Sequence, residues 1–149
     1  MSLDELQQVI DQSIASASAF TRGLFENNHW DAARLQEYSN EDGSMTVATV
    51  TSDGKPHAAL VIAACIDGIF YFTASPRSQL LRNLRRDPSV AFTISDKVMG
   101  RGAAELAGAA KDLGHLRSQA SKTLGALIDE GWEGSIYSIR PERVFAQSS

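Results

Sequence analysis

Apolar residues recur at steps of three and four between Leu3 and Phe25, at Leu3, Leu6, Val9, Ile10, Ile14, Ala17, Phe20, Leu24 and Phe25. That spacing predicts one amphipathic helix. Ser2 stands where an N-cap belongs, and Asp4 and Glu5 suit the positive end of the helix dipole. Gly23 weakens the final turn. Asn27 to Gly43 is polar apart from Trp30 and Tyr38, and reads as a connection with one short helix.

The period changes at Met45. MTVATVTS alternates apolar and polar and is rich in β-branched residues, as a half-buried strand should be. Asp53-Gly54 signals a hairpin, and HAALVIAACI after Pro56 is apolar on both faces. Asp67-Gly68 supplies a second turn before IFYFTA, completing an antiparallel meander. Ser75-Pro76 reads as the start of a short helix, with serine as N-cap and Leu80, Leu81 and Leu84 on its apolar stripe; Asp87-Pro88 stops it. VAFTIS is a fourth strand and Val98 to Leu106 a fifth. Ala109 to Glu130 has helical spacing at Leu113, Leu116, Ala120, Leu124, Leu127 and Ile128. Ser135 to Phe145 is the last strand, with Pro141 assigning its second half to an edge or a bend.

Six strands joined mainly by tight turns predict a mainly β, antiparallel barrel with flanking helices rather than a doubly wound parallel sheet. The 149 residues fit one domain, with 1–43 as an N-terminal helical segment and 44–149 as the barrel. A net charge of -4 and a pI near 5.3 argue against a nucleic-acid partner. The acidic start MSLDELQQVID is unlike a signal peptide, and no apolar run reaches membrane-spanning length, so no membrane partner and a cytoplasmic location are expected.

Familiar catalytic patterns are missing. His29, His57 and His115 lie far apart with no paired cysteines, so no metal site is expected. No G-x-S-x-G elbow occurs, and the single cysteine, Cys65, sits in an apolar strand that disfavours a thiolate. Gly100-Arg101-Gly102 is followed by Glu105 and strand-like residues, where a dinucleotide loop needs a third glycine and a helix.

Two features remain. Along the second strand Ala59, Val61, Ala63 and Cys65 share one face, and Ala58, Leu60, Ile62, Ala64 and Ile66 the other. The first face is low and flat, suited either to a planar ring or to close packing of a helix or a partner subunit. In Thr73-Ala74-Ser75-Pro76-Arg77-Ser78, hydroxyls, an arginine and a helix start make either an anion cradle or an ordinary capped helix. Arg82 is one turn beyond Ser78 and within reach of the same place. Trp132 is either a stacking aromatic or a core residue, and His57 is a surface or structural residue.

Taken in order, the segment VATVTSDGKPHAALVIAACIDGIFYFTASPRSQLLRNLRRDPSVAFTIS, with RGAAELAG and IYSIRPERVF after it, resembles the flavin-binding split-barrel superfamily. This is the pyridoxamine 5'-phosphate oxidase-like group, which includes deazaflavin-dependent reductases. The resemblance implies a six-stranded antiparallel split β-barrel and a homodimer with two flavin sites at its interface. It implies ring contact by Val61, Ile62 and Ala63, and contact with an anion or a ribityl chain by Thr73, Ser75, Arg77, Ser78, Gln79 and Arg82. FMN is the implied cofactor, with a deazaflavin or haem as alternatives, and the implied activity is an oxidoreductase acting on a small molecule. The other implied reading is a non-catalytic dimer that binds or senses flavin or haem.

The departures are specific. Where oxidases of the group carry basic phosphate ligands, this chain has Ala59, Ala64, Gln79 and Leu80. Each charge-assisted hydrogen bond so lost is worth about 1.5–3 kcal/mol. No histidine on the short helix is available as an axial ligand for haem.

Overall fold

The computed structural model describes residues 1–148. Six strands close into an antiparallel barrel in the order β1-β2-β3-β6-β5-β4. They are β1 (Ser44–Val50), β2 (Pro56–Ile66), β3 (Ile69–Ala74), β4 (Ser89–Ile94), β5 (Val98–Ala109) and β6 (Ser135–Ala146). Alternation fills the interior: Met45 and Val47 of β1, Phe70 and Phe72 of β3, and Val90, Phe92 and Ile94 of β4 are all buried. Phe70 and Phe92 meet there with ring centroids 4.8 Å apart.

The predicted N-terminal helix is two helices, α1 (Leu3–Ala15) and α2 (Ala19–Phe25). Serines divide it: Ser16 turns its hydroxyl back to the Gln12 carbonyl, and Ser18 caps α2 by accepting from the Thr21 N–H. α1 buries Leu6, Ile10 and Ile14, each worth about 1.5–3 kcal/mol of apolar burial. Its Ser13 hydroxyl accepts from the Val144 N–H at 3.0 Å, fixing the helix on β6. α2 buries Phe25 but leaves Phe20 and Leu24 exposed. α3 (Ala32–Asp42), capped by Asp31, is the short helix expected before the barrel and ends in a left-handed Gly43.

The helical run from Ala109 is broken rather than continuous: β5 runs on to Ala109, short 3-10 helices cover Ala110–Asp112 and Gly114–Gln119, and α5 (Lys122–Glu130) is the α-helix. Gly108, at φ +147°, and Gly114 break the periodic run, and Ser121 starts α5 afresh by accepting from the Leu124 N–H. As its proline suggests, the second half of β6 is an edge: β3 pairs with β6 only as far as Ile139, and Pro141 lies beyond it, paired with β5 alone. The proline faces Gly102 where the β5–β6 register shifts, and this bulge accommodates its missing N–H within a continuous strand. No helix among the described residues is long and apolar enough to cross a membrane.

Candidate functional site

The site begins where two strands part. β2 pairs with β1 from Pro56 to Ile62, but with β3 only from Ala63 to Ile66. The Ile62 N–H donates to Thr73 Oγ1 at 3.2 Å, so the backbone of Ile62 points away from β1. Ala63 points the other way, its N–H donating to the Gly43 carbonyl at 2.9 Å. Backbone direction alternates along a strand, so the N–H and C=O groups of Leu60 and Ala58 also point away from β1, where β3 no longer runs beside them.

A groove of about 330 Å³ opens there. Ala59 to Ile62 form one side, and Thr73, Ser75, Ser78 and Leu80 form the end beside β3. Leu127 of α5 and Trp132 just beyond that helix complete the lining. No titratable side chain lines it, and neither does a histidine, cysteine, methionine or tyrosine.

The end of the groove beside β3 is a turn. Ser75, Pro76, Arg77 and Ser78 form it, with the Ser78 N–H donating to the Ser75 carbonyl at 3.2 Å and Arg77 at φ +66°. Proline second and a left-handed third residue are the type II pattern. The following helix, α4 (Gln79–Arg86), therefore starts later than expected. Its cap is Ser78, whose Oγ accepts from the Leu81 N–H at 3.1 Å, and not Ser75. Arg82 folds back onto this turn, donating to the Arg77 carbonyl at 3.0 Å and to Gln79 Oε1 at 2.8 Å. Gln79 donates in turn to Asn83, and buried Asn83 donates to Thr49 Oγ1 of β1. This relay ties the turn to the barrel wall.

Of the residues singled out from sequence, Val61, Ile62, Thr73, Ser75 and Ser78 are brought together around the groove. Ala63 is not: with Cys65 it points into the barrel core and is 2% exposed. The small-residue face of β2 thus turns into the core at Ala63 and Cys65, while half-buried Ala59 and Val61 line the groove with Leu60, Ile62 and the strand's free backbone edge. Thr73 spends its hydroxyl on the Ile62 backbone. Gln79, Arg77 and Arg82 lie outside the groove lining, at its turn. Leu60, Leu80 and Leu127 were not assigned to the site from sequence, and Trp132 reads there as either a stacking aromatic or a core residue. For Leu127 and Trp132 a signal existed, since Gly131 after a helical run marks the point where Trp132 turns back toward Leu127.

A family model described as pyridoxamine 5'-phosphate oxidase matches residues 32–147. The chain belongs to this family. A pyridoxine/pyridoxamine 5'-phosphate oxidase of Pseudomonas entomophila is 32% identical over 69 residues, a match that takes in 44% of this chain and 32% of that enzyme. The chain thus matches about a third of the length of that curated relative. Among solved structures, a conserved hypothetical protein of Mycobacterium tuberculosis is similar at TM-score 0.61 and 23% identity, over 81% of this chain and 87% of that one. The haem storage protein HutZ of Vibrio cholerae is similar at TM-score 0.60 and 17% identity, over 77% and 93%. A protein titled F420 reductase is similar at TM-score 0.57 and 20% identity, over 73% and 94%. At these identities the likeness is one of fold.

Proposed function

We propose that this chain is one subunit of a cytoplasmic homodimer that holds a flavin-type cofactor, FMN or a deazaflavin, in the groove between β2 and the Ser75–Ser78 turn, and acts as an oxidoreductase on a small molecule. The observation that carries this reading is the free edge of β2. At Leu60 and Ala58 it offers backbone donors and acceptors side by side next to an apolar slot, which is what the polar edge of a flat heterocycle requires.

The residues present fit such a group. Val61 and Ile62 would lie against the ring, and Ser75 and Ser78 would meet the chain attached to it. A phosphate or other anion would find exposed Arg77 at the turn, with Arg82 beside it. When bound, the flavin supplies hydride transfer. The protein binds and orients the ring and keeps water from its apolar side. With no titratable group in the lining, proton movement falls to substrate or solvent.

The homodimer is supported by the outward face of the barrel. Leu60 is 88% exposed and Met99 43%, and Thr46, Ala48, Ala91 and Thr93 lie between them across β1 and β4. An uncovered sheet face of this kind suits a two-fold contact with a second copy.

The absence of basic groups favours a second reading, a non-catalytic dimer that stores or senses a flavin. Ala64 and Leu80, at two of the positions where family oxidases carry phosphate ligands, are 1% and 3% exposed and belong to the packing. Haem is less well served, because no side chain of this groove can ligate iron. A visible spectrum of the purified protein, followed by titration with FMN, a deazaflavin and haem, tests both readings. Binding of FMN or deazaflavin with turnover of a hydride acceptor supports the enzyme, binding without turnover supports storage, and no binding of either ring overturns both.

A further inference from the structure

Part of the groove's lining is built by the end of a helix. α5 stops at Gly131, at φ +65°, whose N–H donates to the Ile128 carbonyl at 3.2 Å, while the Trp132 N–H donates to the Leu127 carbonyl at 3.1 Å. This pair of bonds is the Schellman arrangement, which folds the second residue past the helix back onto the first residue of its last turn. Here those two residues are Trp132 and Leu127, and both line the groove.

The indole is also fixed from behind. A β-carbon on Gly134 would stand 2.1, 2.3 and 2.5 Å from three atoms of its six-membered ring, so the ring occupies space that only glycine leaves free. Trp132 is half-buried and packs against the cluster that contains Ala64, Leu124 and Ile128, against which Ile62 also packs.

We infer that Trp132 is the stacking wall of this groove, holding a flat aromatic ring against β2, and that Gly134 sets its position. The inference rests on the flavin reading given above. With no charged group in the lining, ring affinity comes from the backbone edge and from an aromatic surface. An indole offers the largest such surface of any side chain.

The test uses the full-length protein as Trp132→Phe, Trp132→Leu and Gly134→Ala, with FMN as probe, reading both affinity and the emission of the bound flavin. An indole in contact with the ring quenches that emission. Trp132→Phe should retain FMN affinity within about threefold, and Trp132→Leu should lose about tenfold, the scale of one stacked ring. Bound-flavin emission should rise in both. Gly134→Ala should weaken binding although the tryptophan is retained, and thermal melts without ligand separate this from loss of folding. Wild-type protein that binds FMN, with Trp132→Leu binding equally well at unchanged emission, overturns the inference and leaves the flavin reading standing. Wild-type protein that binds neither FMN nor a deazaflavin overturns both.

Discussion

Asn40 of α3 grips the backbone of Cys65 from both sides, its Nδ2 donating to the carbonyl at 2.8 Å and its Oδ1 accepting from the N–H at 2.7 Å. β1 begins only opposite Ile62, so the side chain supplies the ladder bonds that β1 does not reach. Asn40→Ala leaves a buried donor and acceptor unmet and should cost about 1–3 kcal/mol in urea unfolding. Asn40→Asp should be no better at neutral pH, because a carboxylate faces the Cys65 carbonyl with no proton to donate. Equal stability of wild type and both variants would show that the clasp contributes nothing.

Arg77 carries a left-handed backbone beside the groove. Arg77→Gly relieves a conformation that costs an ordinary residue about 1–2 kcal/mol, less the entropy of a freer unfolded chain. It should therefore be more stable than Arg77→Ala by about 1 kcal/mol. Both variants lose the cation, so both should lose the same share of any preference for FMN over riboflavin, which lacks the phosphate. Comparing melts with paired titrations separates strain from charge.

Arg82 acts on the turn rather than in the groove. Its bonds to the Arg77 carbonyl and to Gln79 hold the Ser75–Ser78 backbone, so Arg82→Ala should weaken FMN binding while the protein stays folded. Arg82→Lys should not restore it, since one ammonium cannot reproduce the guanidinium fork. Undiminished FMN affinity in Arg82→Ala would remove Arg82 from the site.

Leu60 lies on the outward face that the proposed two-fold contact covers. Leu60→Asp places a charge there and should shift sedimentation from dimer to monomer without lowering the monomer's secondary structure. A wild-type protein that sediments as a monomer at all concentrations would rule the contact out.

Burial pushes the Cys65 thiol far above its ordinary range, with nearby Asp67 adding to the shift and a bond from the Gly68 backbone opposing it. The folded state thus keeps its proton at a pH where the unfolded thiol has lost one. The stabilisation is complete below the unfolded thiol's pKa of about 8.5 and is lost as pH rises above it. Relative to Cys65→Ala, wild type should lose about 1.4 kcal/mol per pH unit between roughly pH 9 and 10 in denaturant melts. Parallel curves would show that the thiol does not titrate differently in the two states.

The barrel was legible because its strands carry their own punctuation. Asp53-Gly54 and Asp67-Gly68 mark the hairpins, and the change from period three-to-four to period two at Met45 marks the start of the sheet. Apolar spacing runs across Ser16 to Ser18, where serine caps split one helix into two, and across Gly114, where the chain forms 3-10 rather than α-helix. The groove was legible only in part. Alternation separates the two faces of β2, but it does not say which one lines the barrel; that depends on β1, which places Met45 and Val47 inside opposite Val61 and Ala59. Nor does a sequence show that β3 leaves β2 after Ala63 while Thr73 and Ala74 stay paired with β6 on the other edge.

That divergence leaves a peptide edge of β2 naked at the groove. Whatever settles against Leu60 and Ala58 finishes a seam, so an empty protein offers those same amides to any extended stretch of a neighbouring chain. Protein prepared without added flavin should therefore cloud on concentration sooner than protein supplied with FMN, read as light scattering.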